Sequence, residues 1–351
     1  MIIELPISKS IANRLLILQA IHRDGLMAVS ADMPDDVQIL HKAITDINRQ
    51  SPSLTDIHQI NIGNCGTAMR FLTAYCAQLE GQTTILDGAE RMHHRPIGQL
   101  VEALREIGAQ IEYLGEEGFP PLRIIGCALD KHKIVRIDNP LSTQFVSALL
   151  LIGANVQTNS TSPYIHITRE LVTQFKIHNS YLADARTIDP KFIIQKDWSS
   201  AAFWYEHVAL YGGEIELPGL FKDSVQGDKV VAEIFTQLGV QTHYTNEGII
   251  LSPLPLHHTP YTLHYNFKDC PDLYPAVALT CEKLGILFEA TGVESLPLKE
   301  SDRLRAVREH RVDADHRMAM ALLIAGYPVD DTNCINKSYP EFLAQWKTIR
   351  T

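Results

Sequence analysis

Lys299-Glu300-Ser301-Asp302-Arg303 and Asp315-His316-Arg317 crowd cations and carboxylates into two short runs. If the first run is helical, Lys299 and Arg303 share a face at i,i+4, with Glu300 one turn from Arg303. Such a mixture suits a small, highly charged substrate that needs anion anchors and proton transfer together. A solvated surface helix would carry the same residue types without any chemistry. Further basic motifs elsewhere in the chain favour the chemical reading. Ser8-Lys9-Ser10 opens a helix, so free N–H groups, the positive dipole end, a lysine and a hydroxyl form an anion cradle. Arg14, one turn from Ser10, faces the same space and suits a carboxylate or phosphate. Gly63-Asn64-Cys65-Gly66-Thr67-Ala68-Met69-Arg70 is a second cradle, with Gly66 permitting close approach and Thr67 and Arg70 supplying a hydroxyl and a cation.

Other motifs extend the set. Arg91-Met92-His93-His94-Arg95-Pro96 places two arginines before a helix whose expected first position is Pro96. The paired histidines have no third ligand at a recognisable spacing, so no metal is expected. Ser142-Thr143-Gln144 begins another helix with neutral groups suited to phosphate oxygens. Asp272, before an apolar helix expected over Tyr274 to Leu284, reads equally as an N-terminal cap or as a catalytic carboxylate. Lys337 adds one more cation. Cys65 and Cys270 stand as possible nucleophiles, although neither has a histidine-base motif beside it.

The elements that position these residues follow an α/β grammar. Helix, glycine and strand recur in order: Asn64 to Leu79, Gly81, then Thr83 to Leu86; Pro96 to Ile107, Gly108, then Ala109 to Tyr113. Ser199 to Leu210, Gly212-Gly213, then Glu214 to Leu217 is a third case, and Lys229 to Leu238, Gly239, then Val240 to Tyr244 a fourth. This recurrence predicts an internally repeated architecture. A hinge is expected near Lys196-Asp197, where strand-like Lys191 to Gln195 ends. At 351 residues the chain has length for roughly two domains. A net charge of -10 argues against nucleic acid or an anionic membrane as partner, so anion binding must be local. Six scattered cysteines without CxxC spacing fit reduced thiols, and no leader or spanning segment is evident, so the chain reads as soluble and cytoplasmic.

Taken together, the motifs from Lys9 to Lys337 resemble the 5-enolpyruvylshikimate-3-phosphate synthase family. Asn64 to Arg70, Arg95-Pro96-Ile97-Gly98, Lys299 to Arg303 and Asp315 to Met320 carry the likeness. The resemblance implies an α/β fold: a two-lobed inverse α/β barrel of repeated βαβαββ units, three per lobe. Between Arg308 and Asp313, where the family carries part of a repeat, stand only Glu309-His310-Arg311-Val312, so the sixth unit is interrupted near 309–312. One lobe is expected over 9–196, mainly for shikimate 3-phosphate, and the other over 1–8 plus 197–351. Lobe closure around bound anions is implied.

By resemblance, Lys9, Ser10, Arg14, Ser142, Thr143, Gln144, Thr161, Asp272 and Lys299 contact shikimate 3-phosphate. Lys9, Asn64, Gly66, Thr67, Arg70, Arg95, Gln144, Arg303, His316, Arg317 and Lys337 form the phosphoenolpyruvate set. Asp272 resembles the acceptor of the 5-hydroxyl proton, while Lys299, Glu300 and Lys9 complete the catalytic group. The implied reaction transfers an enolpyruvyl group to the 5-hydroxyl with no metal or organic cofactor, on small-molecule substrates, by a monomer. Glyphosate is expected to compete with phosphoenolpyruvate. Two alternatives stay open. One is the sister transferase acting on UDP-N-acetylglucosamine, against which the absence of a cysteine between Arg91 and Arg95 argues. The other is an inactive, anion-binding member of the family.

Overall fold

The computed structural model describes the chain apart from residues 24, 50–56, 182–193, 256–260 and 351. After α1 (Lys9–His22) and α2 (Asp35–Arg49), a complete βαβαββ repeat follows. It comprises β1 (Ile57–Asn61), α3 (Gly66–Ala77), β2 (Thr83–Asp87), α4 (Gly98–Glu106), β3 (Gln110–Tyr113) and β4 (Leu122–Ile125). Its sheet order is β1-β2-β4-β3, with β1 and β2 parallel and the closing hairpin antiparallel. A second repeat begins with β5 (Ile134–Arg136), α5 (Thr143–Leu151), β6 (Asn155–Gln157) and α6 (Pro163–Tyr181), β5 and β6 again being parallel.

Beyond residue 193 the same plan returns. α7 (Trp198–Tyr211), β7 (Ile215–Pro218), α8 (Val231–Gln237), β8 (Val240–Tyr244) and β9 (Gly248–Pro253) form a sheet of order β7-β9-β8. Ile2 joins it through a parallel bridge to Glu216, so the N-terminus stands where a first strand belongs. The last repeat has β10 (Thr262–Asn266), α9 (Tyr274–Leu284), β11 (Leu287–Thr291) and α10 (Arg303–Glu309), followed by α11 (His316–Ile324) and α12 (Phe342–Arg350). Here the chain passes from α10 to α11 with no closing hairpin, and among the described residues β11 pairs with β10 alone. That is the interruption expected near 309–312.

The short junction is tightly turned. His310, Asp313 and Ala314 all take left-handed backbone angles (φ 51°, 48° and 56°), which the Cβ of an L-residue normally disfavours. Packing holds it there: the His310 ring stacks on Tyr327 at 3.9 Å, and its Nε2 lies 2.9 Å from Glu282 of α9.

Each predicted helix–glycine–strand case appears in order, with shifted ends. α4 starts at Gly98 after an Ile97 cap, so Pro96 precedes the helix, and Lys229 lies in a 310 turn before α8. Gly212 ends α7 at φ 74°, a backbone conformation open mainly to glycine.

Residues 1–9, 32–35 and 194–351 form one compact body, and residues 10–31 and 36–193 another. In the first, hereafter the C-terminal body, α7 is buried without a break from Trp198 to Val208 and α11 from His316 to Leu322. Helices buried all round belong inside a core. α7 packs on α9 and α11, while β7 buries alternate residues and β8 only Val240. The predicted strand residues Lys191 to Ile193 lie outside the described residues. The adjoining Gln195 to Asp197 segment pairs with the first residues: Ser8 N donates to Gln195 O at 2.8 Å and Asp197 N to Pro6 O at 3.0 Å.

Candidate active site

In the N-terminal body, three helix starts carry the predicted anion groups. Cys65 caps α3, its Sγ accepting from Ala68 N at 3.4 Å. Arg70 reaches back from α3, donating to Gly66 O and to Pro96 O, each at 3.1 Å. A Cβ placed on Gly66 would lie 2.6 Å from Arg95 Nη1 and 2.8 Å from Arg70 Nη1. Only a residue without a side chain lets both guanidinium groups press against that backbone. Ser142 caps α5, accepting from Gln144 N, and Gln144 Nε2 donates to Thr67 Oγ1 at 2.9 Å, joining α5 to α3. Gly66, Thr67, Arg70, Arg95 and Gln144 are thus brought together.

The remaining predicted groups of this body differ among themselves. Asn64 and Thr161 are exposed, whereas Ser10 and Thr143 are half-buried at the first turns of α1 and α5. Arg14 is enclosed: Nε donates to Thr168 Oγ1 and Nη1 to Ser10 O, both at 2.7 Å, while Nη2 serves Ser147 Oγ and Tyr164 O. Burial pushes its pKa down to about 10, which still leaves it charged at neutral pH. Its observed work is to knit α1, α5 and α6 together. His93 is held by Asp87 at 2.7 Å. Among the described residues no group of three His, Cys, Asp or Glu side chains gathers as metal ligands would.

In the C-terminal body, Asp272 is the centre of an ion-pair cluster. Arg317 Nη2 lies 2.8 Å from its Oδ2, while Arg303 Nη1 at 2.8 Å and Lys299 Nζ at 3.4 Å share Oδ1. Asp272 does not cap α9, whose N-cap is Leu273 without a side-chain bond. Burial alone would raise its pKa, but Arg317, Lys299, Arg303 and Lys9 outweigh that and hold it well below the usual carboxylate range. Glu300 sits 3.0 Å from Lys337 Nζ and 3.4 Å from Arg303 Nη2. His316 is buried, with Lys9 Nζ 3.5 Å from its Nε2. Burial first, then the charges of Lys9 and Arg317, push its pKa down, so the imidazole is neutral at physiological pH.

The geometry corrects one local expectation. Lys299 is extended and α10 begins only at Arg303, capped by Asp302, so Lys299 and Arg303 share no helical face. They converge on Asp272 because a 310 turn over Leu296–Leu298 and the start of α10 lie either side of a bend.

Sequence reasoning also passed over Asp315, which caps α11 and binds Arg303 through Nε at 2.8 Å and Nη2 at 3.3 Å. Asp before an apolar helix was the available signal. Asp228, buried and bonded to Ser199, was missed as well. The cluster therefore offers a half-buried carboxylate, a second carboxylate among cations, and enough positive charge to bind an anion once the carboxylates yield their partners.

Comparison with known proteins points the same way. The family model described as EPSP synthase (3-phosphoshikimate 1-carboxyvinyltransferase) matches residues 1–312. The 3-phosphoshikimate 1-carboxyvinyltransferase of Bacteroides fragilis is 38% identical over 99% of this chain and 94% of its own length. That of Vibrio cholerae serotype O1 is 30% identical, over 97% and 94%. The Bacteroides alignment runs over 401 residues against the 351 of this chain, so the relative carries positions that have no counterpart here. A solved EPSP synthase structure from Acinetobacter baumannii superposes with a TM-score of 0.67 at 18% identity, covering 99% of this chain and 95% of that one.

Proposed function

From the premise that this chain belongs to the EPSP synthase family, we propose that its two ion-binding clusters serve one enolpyruvyl transfer. The enzyme is a 3-phosphoshikimate 1-carboxyvinyltransferase: it moves the enolpyruvyl group of phosphoenolpyruvate to the 5-hydroxyl of shikimate 3-phosphate and releases phosphate. The observation that carries the residue assignments is the grip of Arg317, Arg303 and Lys299 on half-buried Asp272.

In this reading Asp272 takes the proton of the attacking 5-hydroxyl. Its ion pairs hold it ionised, ready to accept, yet also suppress its basicity. Phosphoenolpyruvate brings a phosphate and a carboxylate that compete for Arg303, Arg317 and Lys337. Each cation drawn to substrate leaves Asp272 or Glu300 with less compensation and a greater proton affinity. Glu300, relieved of Lys337 and Arg303, is the assigned donor to the methylene carbon, and Lys299 assists beside it. The hydroxyl oxygen then bonds to the adjacent cationic carbon, giving a tetrahedral ketal. Loss of a proton from the methyl group and departure of phosphate complete the transfer, with the cations stabilising the leaving charge.

The remaining assignments rest on the helix starts. Ser10, Ser142, Thr143, Gln144 and Thr161, with Arg14 as their support, are assigned to shikimate 3-phosphate. Asn64, Gly66, Thr67, Arg70, Arg95 and Gln144 are assigned to phosphoenolpyruvate, as are Lys9 and the neutral His316. The shortened last repeat leaves the Asp272 cluster whole, which favours turnover over binding alone. We place the enzyme in the cytoplasm as a monomer; its cysteines are all free thiols, as a reducing compartment would keep them.

Phosphate release from shikimate 3-phosphate plus phosphoenolpyruvate tests the reading, with UDP-N-acetylglucosamine as a parallel acceptor. Release with shikimate 3-phosphate alone is expected. Release only with the UDP-sugar, or with neither, would refute it.

A further inference from the structure

The Asp272 cluster stands at one end of three neighbouring helices, and a second cluster that takes no part in the transfer stands at the other. Asp272 precedes α9, Arg303 opens α10, and Asp315 and Arg317 lie at the cap and in the first turn of α11. α9 packs on both α10 and α11. At the opposite ends, Glu282 lies in the last turn of α9, His310 ends α10, and Tyr327 follows α11. At 1.5 Å of rise per residue, roughly 10–16 Å of helix separates the two clusters.

Glu282, His310 and Tyr327 close on one another. The His310 ring stacks on Tyr327 with centroids 3.9 Å apart and planes 18° apart, and its Nε2 lies 2.9 Å from Glu282 Oε1. Tyr327 Oη donates to that same oxygen, and Lys283 Nζ sits 3.8 Å from the centre of the Tyr327 ring. Each member is fixed to its own helix. Arg311 N donates to Ala306 O at 2.9 Å, closing the end of α10 around His310. Gly326, at φ 77°, turns the chain so that Tyr327 N donates to Leu322 O of α11 at 2.9 Å. A surface ion pair contributes little by itself, but here a ring stack and a cation over the ring join it.

We propose that Glu282, His310 and Tyr327 are positioning residues: their clasp fixes the far ends of α9, α10 and α11 and so sets how Arg303 and Arg317 meet Asp272. This rests on the reading of that cluster as a site for phosphoenolpyruvate and proton transfer. α10 and α11 are joined by residues 310–315 alone, with no strand between them to set their spacing. His310 holds φ 51°, which its Cβ disfavours, so tertiary contacts fix the turn against local preference. Arg303 and Arg317 are buried and each lies 2.8 Å from Asp272. A close-packed helix transmits a shift at one end to the other, and a displacement of about 1 Å in a charged site is costly.

His310→Gly is the first test, because glycine takes φ 51° without strain and so keeps the turn while removing the clasp. KM for phosphoenolpyruvate should rise at least about fivefold while KM for shikimate 3-phosphate stays within about twofold. Glu282→Ala should do the same. Glu282→Gln, which keeps an acceptor for both partners, should bring KM back to within about twofold of wild type. Tyr327→Phe keeps the ring stack and loses only the hydroxyl; its KM should fall between wild type and Glu282→Ala, and it decides the matter if the other variants fail to fold. A merely structural role would lower the melting temperature and leave both KM values unchanged, and that result overturns the proposal. Solvent exchange of the Arg303 Nε–H, which donates to Asp315 at 2.8 Å, supplies a readout without turnover by 15N NMR. It should be at least about tenfold faster in His310→Gly, since a loosened clasp lets the guanidinium leave its partners. Faster exchange in protein whose wild type releases no phosphate would sink the functional reading and still support the clasp. Equal exchange in wild type and His310→Gly overturns the proposal itself.

Discussion

Arg303 lies across Asp315, with Nε 2.8 Å from one carboxylate oxygen and Nη2 3.3 Å from the other, and both side chains are buried. The same guanidinium reaches Asp272 at 2.8 Å. Asp315 is thus the fixed side of a clamp whose free side is the proposed base. Asp315→Ala would leave buried Arg303 with Asp272 and Glu300 alone and remove the cap of α11. Stability should fall by about 2–4 kcal/mol, read by urea unfolding. A loss under 1 kcal/mol, on the order of a surface pair, would contradict the clamp.

Asp272→Asn keeps the size of the side chain and removes the base. We expect kcat to fall about 10²- to 10⁴-fold with little change in KM for shikimate 3-phosphate. Equal losses in kcat and in affinity would argue for a binding role alone.

Arg317→Ala withdraws a cation assigned to phosphoenolpyruvate and leaves Asp272 with fewer partners. KM for phosphoenolpyruvate should rise at least about tenfold, since a charge-assisted bond contributes roughly 1.5–3 kcal/mol. Unchanged steady-state kinetics would exclude Arg317 from the substrate set.

Gly66→Ala forces a methyl group into space now held by Arg70 and Arg95. The guanidinium groups must retreat, so phosphoenolpyruvate and its expected competitor glyphosate should both bind less tightly while the melting temperature barely moves. Wild-type inhibition constants in the variant would show that the arginines do not hold these anions.

Glu206 gives a prediction about stability and pH. It is fully buried on α7, and neither carboxyl oxygen has a hydrogen-bond partner, so burial raises its pKa well above the usual value of 4.5. Folding therefore raises its proton affinity. The stability it leaves intact below the unfolded pKa is lost as pH climbs toward the folded one. Glu206→Met should stabilise by about 1–3 kcal/mol at pH 8 and by much less at pH 4. Equal stabilisation at both pH values would mean that the carboxyl is not held neutral.

Local chemistry explains what was readable before the structure. The Tyr274–Leu284 helix, the Ser142 cap and the helix–glycine–strand order each depend on neighbours within a few residues. The Lys299–Arg303 run misled for the same reason: i,i+4 charge spacing imitates a helix, whereas Asp302 caps and Ser301 bonds Asp315 at 3.1 Å. Asp228 and Glu206 carry no local mark, because burial against distant segments gives them their character. The enclosure of Arg14 by Thr168 and Ser147 is equally nonlocal.

Among the described residues β11 ends as a border where the complete repeat has an interior strand, since β2 is covered by the antiparallel β4. Its outer row of backbone amides and carbonyls, with Leu287 68% exposed beside it, is a template for another strand. The shortened connection thus leaves the ion-pair cluster intact and falls instead on colloidal behaviour, since it adds an uncovered margin on which a neighbouring molecule can pair.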